Sequence, residues 1–329
     1  MSTPGTPIWI WRYQLTSAGP LNRASDRCVH EGVLVRTGGG YGCIHPWPEL
    51  GDADLGQELD ALRQGQPLRL ARNALACAQV DAAARARGRW LFDGFEMPAS
   101  HALWPPTGAE APAVVTDRVH RLIGEGFEAL KIKTGPPLDD MLPRLECIVQ
   151  AAAGRLRLRL DFNATLTQAE LRQFAGLLSP LARAAIELVE DPLPYAPGVW
   201  GELAAETGLV FALDRDLHRG TSGYQIAVVK PSTLTANARR AAANRPVLVT
   251  SSMQHPLGQL YDAWMSREFH QPPDAPLVGC GLLTHECYAT DPFIERMSRR
   301  GPVLVPPSGA TGLGFDDLLE TLPWTRLTC

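Results

Sequence analysis

The chain has 329 residues, of which 45% are hydrophobic and 20% are charged, a balance typical of a folded globular protein rather than a disordered or fibrous one. Its 31 Lys and Arg residues against 35 Asp and Glu give a formal charge of −4 without a basic block, so nucleic acid is not an expected partner. No apolar run reaches the roughly 18 residues of a membrane span and residues 1–20 lack a leader pattern, so we expect a cytoplasmic protein without a membrane partner.

The cysteine pattern argues against a zinc site or a disulfide framework. The chain has seven cysteines, which is an odd number, and no two of them form a Cys-x-x-Cys pair. We therefore predict free and mostly buried thiols at all seven positions. These are Cys28, Cys43, Cys77, Cys147, Cys280, Cys287 and Cys329.

The first part of the chain predicts a small α+β unit. Residues 8–15 and 28–36 alternate apolar and polar side chains, which is typical of strands, and the glycine-rich residues 37–42 predict a turn after them. Residues 69–88 place apolar side chains at helical spacing and end in a glycine. We assign residues 1–98 to an N-terminal α+β domain.

From residue 99 onward, short apolar runs alternate with helical patterns, which is typical of βα units around a parallel sheet. Eight runs are candidate strands, and eight is the number that closes a barrel. They span 102–104, 127–133, 156–163, 185–190, 210–214, 226–230, 247–252 and 277–281. The spacing is under the roughly 30 residues per unit of an ordinary (β/α)₈ barrel, so the helices are short or one is missing. We assign residues 99–329 to this barrel.

Charged and polar side chains interrupt the carboxyl ends of six candidate strands. In chain order these are Lys131 and Lys133, Asp161 and Asn163, Glu190 and Asp191, Asp214, Lys230, and Ser251 and Ser252. In a parallel barrel all these strand ends meet on one face, which is where barrel enzymes carry their active sites. We therefore predict the active site at this face.

The acidic members of this set predict a metal site. Three carboxylates from successive strands, without histidine or cysteine, suit a hard cation that prefers oxygen ligands, and Mg²⁺ is the expected one. We assign Asp161, Glu190 and Asp214 as the ligands. Counting with a period of two along the strand places Glu190 on the inner face and Asp191 on the other, so Asp191 is expected to support the site or to face solvent.

The lysines predict a proton-transfer step. Lys131 and Lys133 lie two residues apart and point to the same side of their strand, so mutual repulsion and a nearby dication are expected to lower both pKa values. A lysine in that setting can act as a base near neutral pH. The implied step is removal of a proton next to a substrate carboxylate, with the resulting enediolate stabilised by the surrounding cations.

In order and spacing, these residues resemble the enolase superfamily, and within it the muconate-lactonising subgroup. The matching motifs are Lys131-Ile132-Lys133, Asp161-Phe162-Asn163, Glu190-Asp191-Pro192, Ala212-Leu213-Asp214 and Lys230-Pro231-Ser232. The resemblance implies a modified (β/α)₈ barrel of the type (β/α)₇β, with residues 1–98 as a capping domain and a C-terminal segment that returns toward the cap. It also implies Mg²⁺ as the cofactor, for which Mn²⁺ can substitute.

Within the subgroup the chain is most similar to the short o-succinylbenzoate synthases, which dehydrate a succinylated hydroxycyclohexadiene carboxylate on the route to menaquinone. By this resemblance Lys133 is the acid/base, Lys230 stabilises the enediolate and Lys131 tunes Lys133. A small-molecule carboxylate is thus the expected partner, and the sequence specifies no oligomeric state. The expected substrate-binding residues are Ser251, Ser252, Asn163 and Ser232.

Other functions stay open at this point. Racemisation of N-acylamino acids or epimerisation of dipeptides needs the same metal and the same two lysines, so Lys133 and Lys230 fit those reactions equally well. A cycloisomerase is a weaker alternative. A binding protein that has lost catalysis is also less expected, because every charged residue that the chemistry needs is still present. A barrel hydrolase is disfavoured because the eight histidines show no paired ligand spacing.

Overall fold

The N-terminal unit is an antiparallel sheet with two helices on one side. The computed structural model describes residues 6–22, 25–104, 110–269 and 277–328; Cys329 lies outside them. The sheet has the order β14-β1-β2-β3. The elements of this unit are β1 (Trp9–Thr16), β2 (Val29–Thr37), β3 (Gly40–Ile44), α1 (Leu55–Arg63) and α2 (Arg69–Arg85).

Two glycines let α2 lie directly on β3. The predicted turn over residues 37–42 is shorter than expected, because only Gly38 and Gly39 form it and β3 begins at Gly40. A Cβ atom at Gly40 would lie 2.0 Å from the carbonyl oxygen of Ala78, and one at Gly42 would lie 2.0 Å from that of Ala74. These glycines therefore serve close helix-strand packing rather than chain reversal.

The second unit is a parallel barrel whose strands all fall where the sequence predicted them. In the described part of the chain, eight strands form one sheet in the order β11-β10-β9-β8-β7-β6-β5-β4, and every neighbouring pair is parallel. A bridge between Ser100 and Cys280 joins the two edges. The strands are β4 (Ala102–Trp104), β5 (Ala129–Lys133), β6 (Arg157–Asp161), β7 (Ile186–Glu190), β8 (Phe211–Leu213), β9 (Ile226–Val229), β10 (Val247–Thr250) and β11 (Leu277–Gly281).

The barrel helices are short, and one is missing, as the spacing predicted. Residues 214–225 between β8 and β9 are all described, and they contain a 3₁₀ turn at Leu217–Arg219 in place of an α-helix. The others are α3 (Pro112–Gly124), α4 (Leu138–Ala152), α5 (Gln168–Leu177), α6 (Pro180–Ala185), α7 (Pro197–Thr207), α8 (Ala236–Ala242) and α9 (Pro256–Met265). At α5 a capping box between Thr167 and Glu170 holds the first turn of the helix.

The chain end contacts the N-terminal unit. After β12 (Ser298–Arg300), β13 (Val303–Val305) and α10 (Asp316–Thr321), the last strand β14 (Thr325–Arg326) pairs with β1. The buried Asp81 of α2 accepts hydrogen bonds from the backbone N–H of Leu313 at 2.6 Å and from that of Tyr41 at 3.0 Å. No helix among the described residues is long and apolar enough to cross a membrane. A domain boundary at residue 98 stays a prediction.

Candidate active site

The register of the barrel aligns the predicted charged residues in one layer. Lys133 is the Cα partner of Asp161, and Asp161 is the partner of Glu190, so these three residues lie level across β5, β6 and β7. Asp214 directly follows β8, and Lys230 directly follows β9. The structure therefore brings the six predicted catalytic and metal-binding residues to the carboxyl ends of five neighbouring strands.

Lys131 lies between two carboxylates in this layer. Its Nζ atom is 2.6 Å from Oε2 of Glu190 and 3.0 Å from Oδ2 of Asp161. Burial by itself disfavours an ammonium group, but these carboxylates outweigh that effect and raise the pKa of Lys131 above its usual range. The expectation that repulsion lowers the pKa of both lysines is wrong for Lys131, because its nearest charged neighbours are acidic.

Lys133 has a different environment on the same strand. Its Nζ atom donates a hydrogen bond to the backbone carbonyl of Leu21 at 2.7 Å, so an N-terminal loop reaches the barrel mouth at this lysine. Burial lowers the pKa of Lys133, and the positive charge of Lys131 adds to that effect. A buried lysine without a paired carboxylate is the one of the two suited to give and take a proton near neutral pH.

Lys230 lies across the barrel from Lys133. The two lysines are separated by four strand positions in the eight-stranded order, which is half the circumference. Lys230 forms an ion pair with Asp214. Burial by itself would lower the pKa of Lys230, but the Asp214 carboxylate raises it, so this lysine is a cation.

Two adjacent acidic residues at the end of β7 have different contacts. Burial, together with the negative charge of Asp161, raises the pKa of Glu190 to about 7. Asp191 has a positive φ of 42° and accepts hydrogen bonds from the backbone N–H groups of Asp214 and Arg215, both at 3.1 Å. Asp191 is therefore buried and holds the loop that carries Asp214, rather than facing solvent.

The three predicted ligands fit a divalent cation by their chemistry. Among the described residues no three His, Cys, Asp or Glu side chains converge on a single point, because the ammonium groups of Lys131 and Lys230 pair with the carboxylates. Burial, and then the neighbouring carboxylate of Asp161, disfavour the charged form of Glu190 and raise its pKa. A hard cation held by Asp161, Glu190 and Asp214 would supply positive charge there.

The predicted substrate-binding residues fall into two groups. Ser232 uses both its N–H and its hydroxyl on Asp262, at 2.5 and 3.0 Å, and Ser252 lies 3.2 Å from it between the two hydroxyl oxygens. The hydroxyl of Ser251 pairs with that of Thr284. In contrast, the side-chain amide nitrogen of Asn163 is buried and has no hydrogen-bond partner in the described part of the chain, so it remains able to donate to a ligand.

The sequence reasoning missed the contacts that join the N-terminal unit to this site. The indole N–H of Trp47 donates to the carbonyl of Ser252 at 2.8 Å, and the imidazole ring of the buried His30 lies 4.7 Å from the Trp47 ring between centroids. His255 is buried and caps α9 through a hydrogen bond from the N–H of Leu257. No local pattern in the sequence indicates these contacts.

One signal in the sequence does single out the site. The chain has three lysines among its 31 basic residues, and all three lie at this barrel mouth. Arginine supplies every other basic side chain, and arginine cannot lose its proton in a protein. Where this chain uses lysine, the position calls for a compact ammonium or for a group that can titrate.

Comparison with known proteins agrees with this geometry. Residues 8–84 match the family described as "O-succinylbenzoate synthase, N-terminal domain", and residues 114–223 match "Enolase C-terminal domain-like". The chain is 31% identical to an o-succinylbenzoate synthase from Bdellovibrio bacteriovorus, with 96% of this chain and 97% of the relative covered.

Solved structures share the fold over the whole chain. A mandelate racemase/muconate lactonizing protein from Herpetosiphon aurantiacus superimposes with a TM-score of 0.75 at 19% identity, covering 95% of this chain and 99% of the other. The L-Ala-D/L-Glu epimerase from Bacillus subtilis gives 0.75 at 17%, covering 93% and 97%. The barrel and the N-terminal unit are those of an enolase-superfamily enzyme. Within that superfamily the chain belongs to the o-succinylbenzoate synthase family.

Proposed function

We propose that the protein is an o-succinylbenzoate synthase. It removes water from 2-succinyl-6-hydroxy-2,4-cyclohexadiene-1-carboxylate in the cytoplasm, on the route to menaquinone. The observation that carries this proposal is the placement of Lys133 and Lys230 on opposite sides of a layer of three carboxylates. The full-length similarity to a relative of that activity supports it.

The substrate carboxylate is the group that the site binds. Asp161, Glu190 and Asp214 would hold Mg²⁺, which when bound supplies positive charge that offsets the negative charge developing on that carboxylate. The buried side-chain amide nitrogen of Asn163, which has no partner among the described residues, is available to donate a hydrogen bond to the bound substrate. Ser251 and Ser252 lie at the end of β10, where they line the same face of the barrel.

Lys133 performs both proton transfers. Its neutral amine takes the proton from the carbon next to the carboxylate, and the electron pair moves onto the carboxylate to give the enediolate. The ammonium of Lys230, on the other side of the ring, stabilises that charge. Lys133 then gives its proton to the departing hydroxyl group, so H⁺ and OH⁻ leave as water and the ring becomes aromatic. Lys131 holds Asp161 and Glu190 in place.

Racemisation of an N-acylamino acid or epimerisation of a dipeptide is the second candidate. The observation in its favour is again the pair of lysines half a barrel apart, since one lysine could remove a proton from one face while the other returns a proton to the opposite face. The same residues serve both reactions, so the two functions are distinguished only by which substrate the protein turns over.

The test is turnover of the cyclohexadiene substrate, followed by ultraviolet absorbance with Mg²⁺ and with EDTA. The wild type, Lys133→Ala and Lys230→Ala are compared, with the exposed Arg172→Ala as a control for loss of a surface cation. We expect turnover that requires Mg²⁺, is abolished by either lysine substitution and is unchanged by the control.

Absence of turnover in the folded wild type would contradict the proposal. Exchange of the α-proton for deuterium in N-acylamino acids or dipeptides, dependent on Lys133, would then assign the second candidate. A wild type silent in both assays would point to binding without catalysis.

A further inference from the structure

A second buried carboxylate lies close to the site and has no part in the chemistry described above. Asp262 of α9 is fully buried, and none of the ion pairs among the described residues includes it. Burial raises its pKa to about 7. Burying a carboxylate beside neutral groups alone destabilises a fold relative to an apolar side chain of similar size, so Asp262 calls for an explanation other than stability.

The contacts of Asp262 are with the turn after β9 and with the loop after β10, which includes the backbone N–H of Ser252. Its Oδ1 accepts the backbone N–H of Ser232 at 2.5 Å, and its Oδ2 accepts the hydroxyl of Ser232 at 3.0 Å and the side-chain amide of Gln254 at 2.7 Å. Ser232 is the middle residue of the 3₁₀ turn Pro231–Thr233, which begins immediately after Lys230. The carboxylate therefore fixes both polar groups of the residue at the centre of that turn.

This turn also fixes the backbone of Lys230. The N–H and the hydroxyl of Thr233 both donate to the carbonyl oxygen of Lys230, at 2.9 and 3.2 Å. From the opposite side, α2 of the N-terminal unit donates to the same turn, through Asn73 to the carbonyl of Ser232 and through Arg69 to that of Thr233, both at 2.8 Å. The turn is thus held between α9 and α2, with Lys230 at its start.

We propose that Asp262 is a positioning residue for the reaction, because its carboxylate fixes the turn 231–233 and so places the ammonium of Lys230 at the barrel mouth. This inference rests on the proposed function, in which Lys230 stabilises the enediolate. Charge stabilisation of that kind acts in the transition state more than in the bound substrate, so a displaced Lys230 lowers kcat more than it raises KM.

The main variant is Asp262→Asn, which keeps the shape of the side chain. Its N–H₂ group would face the side-chain N–H₂ group of Gln254, so two donors would meet where a donor and an acceptor met before. The control is Asp81→Asn, since Asp81 is also a fully buried carboxylate; it is ion-paired with Arg85 and holds α2 to the C-terminal segment, away from the strand ends. In a double variant, Asp262→Asn with Gln254→Glu, the carboxylate and the amide trade places. Residue 254 then supplies the acceptor carboxylate between Ser232 and residue 262.

Steady-state kinetics give the first readout. We expect Asp262→Asn to lower kcat by about 10- to 100-fold, the size of effect that a displacement of about 1 Å produces, with KM changed less than about threefold. The double variant is expected to recover kcat to within about threefold of the wild type. Asp81→Asn is expected to lower the melting temperature while leaving kcat unchanged.

The second readout does not depend on turnover. Because the chain has three lysines, protein labelled with ¹³C at lysine Cε gives three side-chain signals, and the signal that disappears in Lys230→Arg identifies Lys230. We expect this signal to shift in Asp262→Asn and to return in the double variant, with the Lys131 signal unmoved. If the wild type shows no turnover but the shift occurs, the proposed function fails and the positioning role stands.

A loss of thermal stability in Asp262→Asn with kcat and the Lys230 signal unchanged, as in Asp81→Asn, would overturn the proposal. If Asp262→Asn fails to fold, Ser232→Ala takes its place, since it removes the 3.0 Å hydrogen bond from the hydroxyl of Ser232 to Asp262. An unmoved Lys230 signal in that variant would equally overturn it.

Discussion

The barrel encloses two groups of buried charges, one at each end, and they are built differently. At the amino end Arg159 of β6 donates to Glu187 at 2.6 Å, to the carbonyl of Val278 at 2.8 Å and to His101 at 3.0 Å. Each nitrogen of the guanidinium group has a partner. At the carboxyl end, two residues further along the same strand, Asp161 shares the cation of Lys131 with Glu190.

The difference shows which end is built for stability and which for reaction. The amino-end group is one cation whose donors are all satisfied, which fixes strands β4, β6, β7 and β11 to one another. The carboxyl-end group has acidic and basic members whose pKa values move in unlike directions, upward for Glu190 and downward for Lys133. Shifted pKa values alone do not separate the two ends, because the pKa of His101 at the amino end is lowered as well. The carboxyl end differs in that its lysines and carboxylates lie at the strand ends, where barrel enzymes carry their active sites.

The largest effect is expected from a change at the carboxyl end that keeps the charge. We predict that Lys133→Arg lowers kcat by about 10⁴-fold, equivalent to about 5.5 kcal/mol, because arginine cannot give up its proton to become the base. The measurement is turnover by ultraviolet absorbance, with circular dichroism to show that the variant is folded. Retained turnover would remove Lys133 from the acid/base role.

The reverse result is expected at the amino end. We predict that Arg159→Met lowers the free energy of unfolding by about 3–5 kcal/mol, because His101, the carbonyl of Val278 and Glu187 each lose a buried donor, although Glu187 keeps its ion pair with Arg157. The kcat of the folded variant is expected to stay within about threefold of the wild type. Urea unfolding measures the first quantity and kinetics below the unfolding transition the second. A variant equally stable but inactive would reverse our assignment of the two ends.

Magnesium is predicted to stabilise the carboxyl end. Because a dication relieves the repulsion between Asp161 and Glu190, Mg²⁺ at about 100 times its dissociation constant should add about 2.7 kcal/mol to the free energy of unfolding, and EDTA should remove this gain. Thermal unfolding with and without Mg²⁺ measures it. We expect Glu190→Gln to show a much smaller gain, whereas an equal gain in that variant would place the cation elsewhere.

Acid is predicted to act on the amino end through His101. Burial, and then the charge of Arg159, hold the pKa of His101 well below its usual range. As the pH falls below about 6.5 the unfolded chain takes up a proton that the folded chain refuses, so stability is lost with falling pH, by up to about 1.4 kcal/mol per pH unit.

The variant that tests this is His101→Asn, whose Oδ1 can accept the hydrogen bond from Arg159 but cannot titrate. Unfolding by urea at pH values from 7 to 5 should show a smaller decrease in stability for this variant than for the wild type. The same substitution at the exposed His218 serves as the control, and an unchanged slope in His101→Asn would contradict the prediction.

Most of the fold could be predicted from the sequence. Apolar runs marked all eight strands, and five of them end in charged residues that include Lys133, Asp161 and Glu190, which lie at matching positions because side chains alternate regularly along a strand. Where the expectation was wrong, the reason was a contact with another element. Gly40 and Gly42 are strand residues under α2, and the pKa of Lys131 follows from carboxylates 30 and 59 residues away.

By itself, the sequence determined which side chains are present at the strand ends and that lysine is confined to them. Local alternation and the parallel order of the strands are enough to bring such residues to one face. Only the tertiary structure decided how they are held, through Asp191 under the loop of Asp214, Trp47 on Ser252 and Asp262 on the turn after Lys230. The bond between Trp47 and Ser252 joins residues 205 positions apart, and a hydrogen bond over that separation depends on packing rather than on any local pattern.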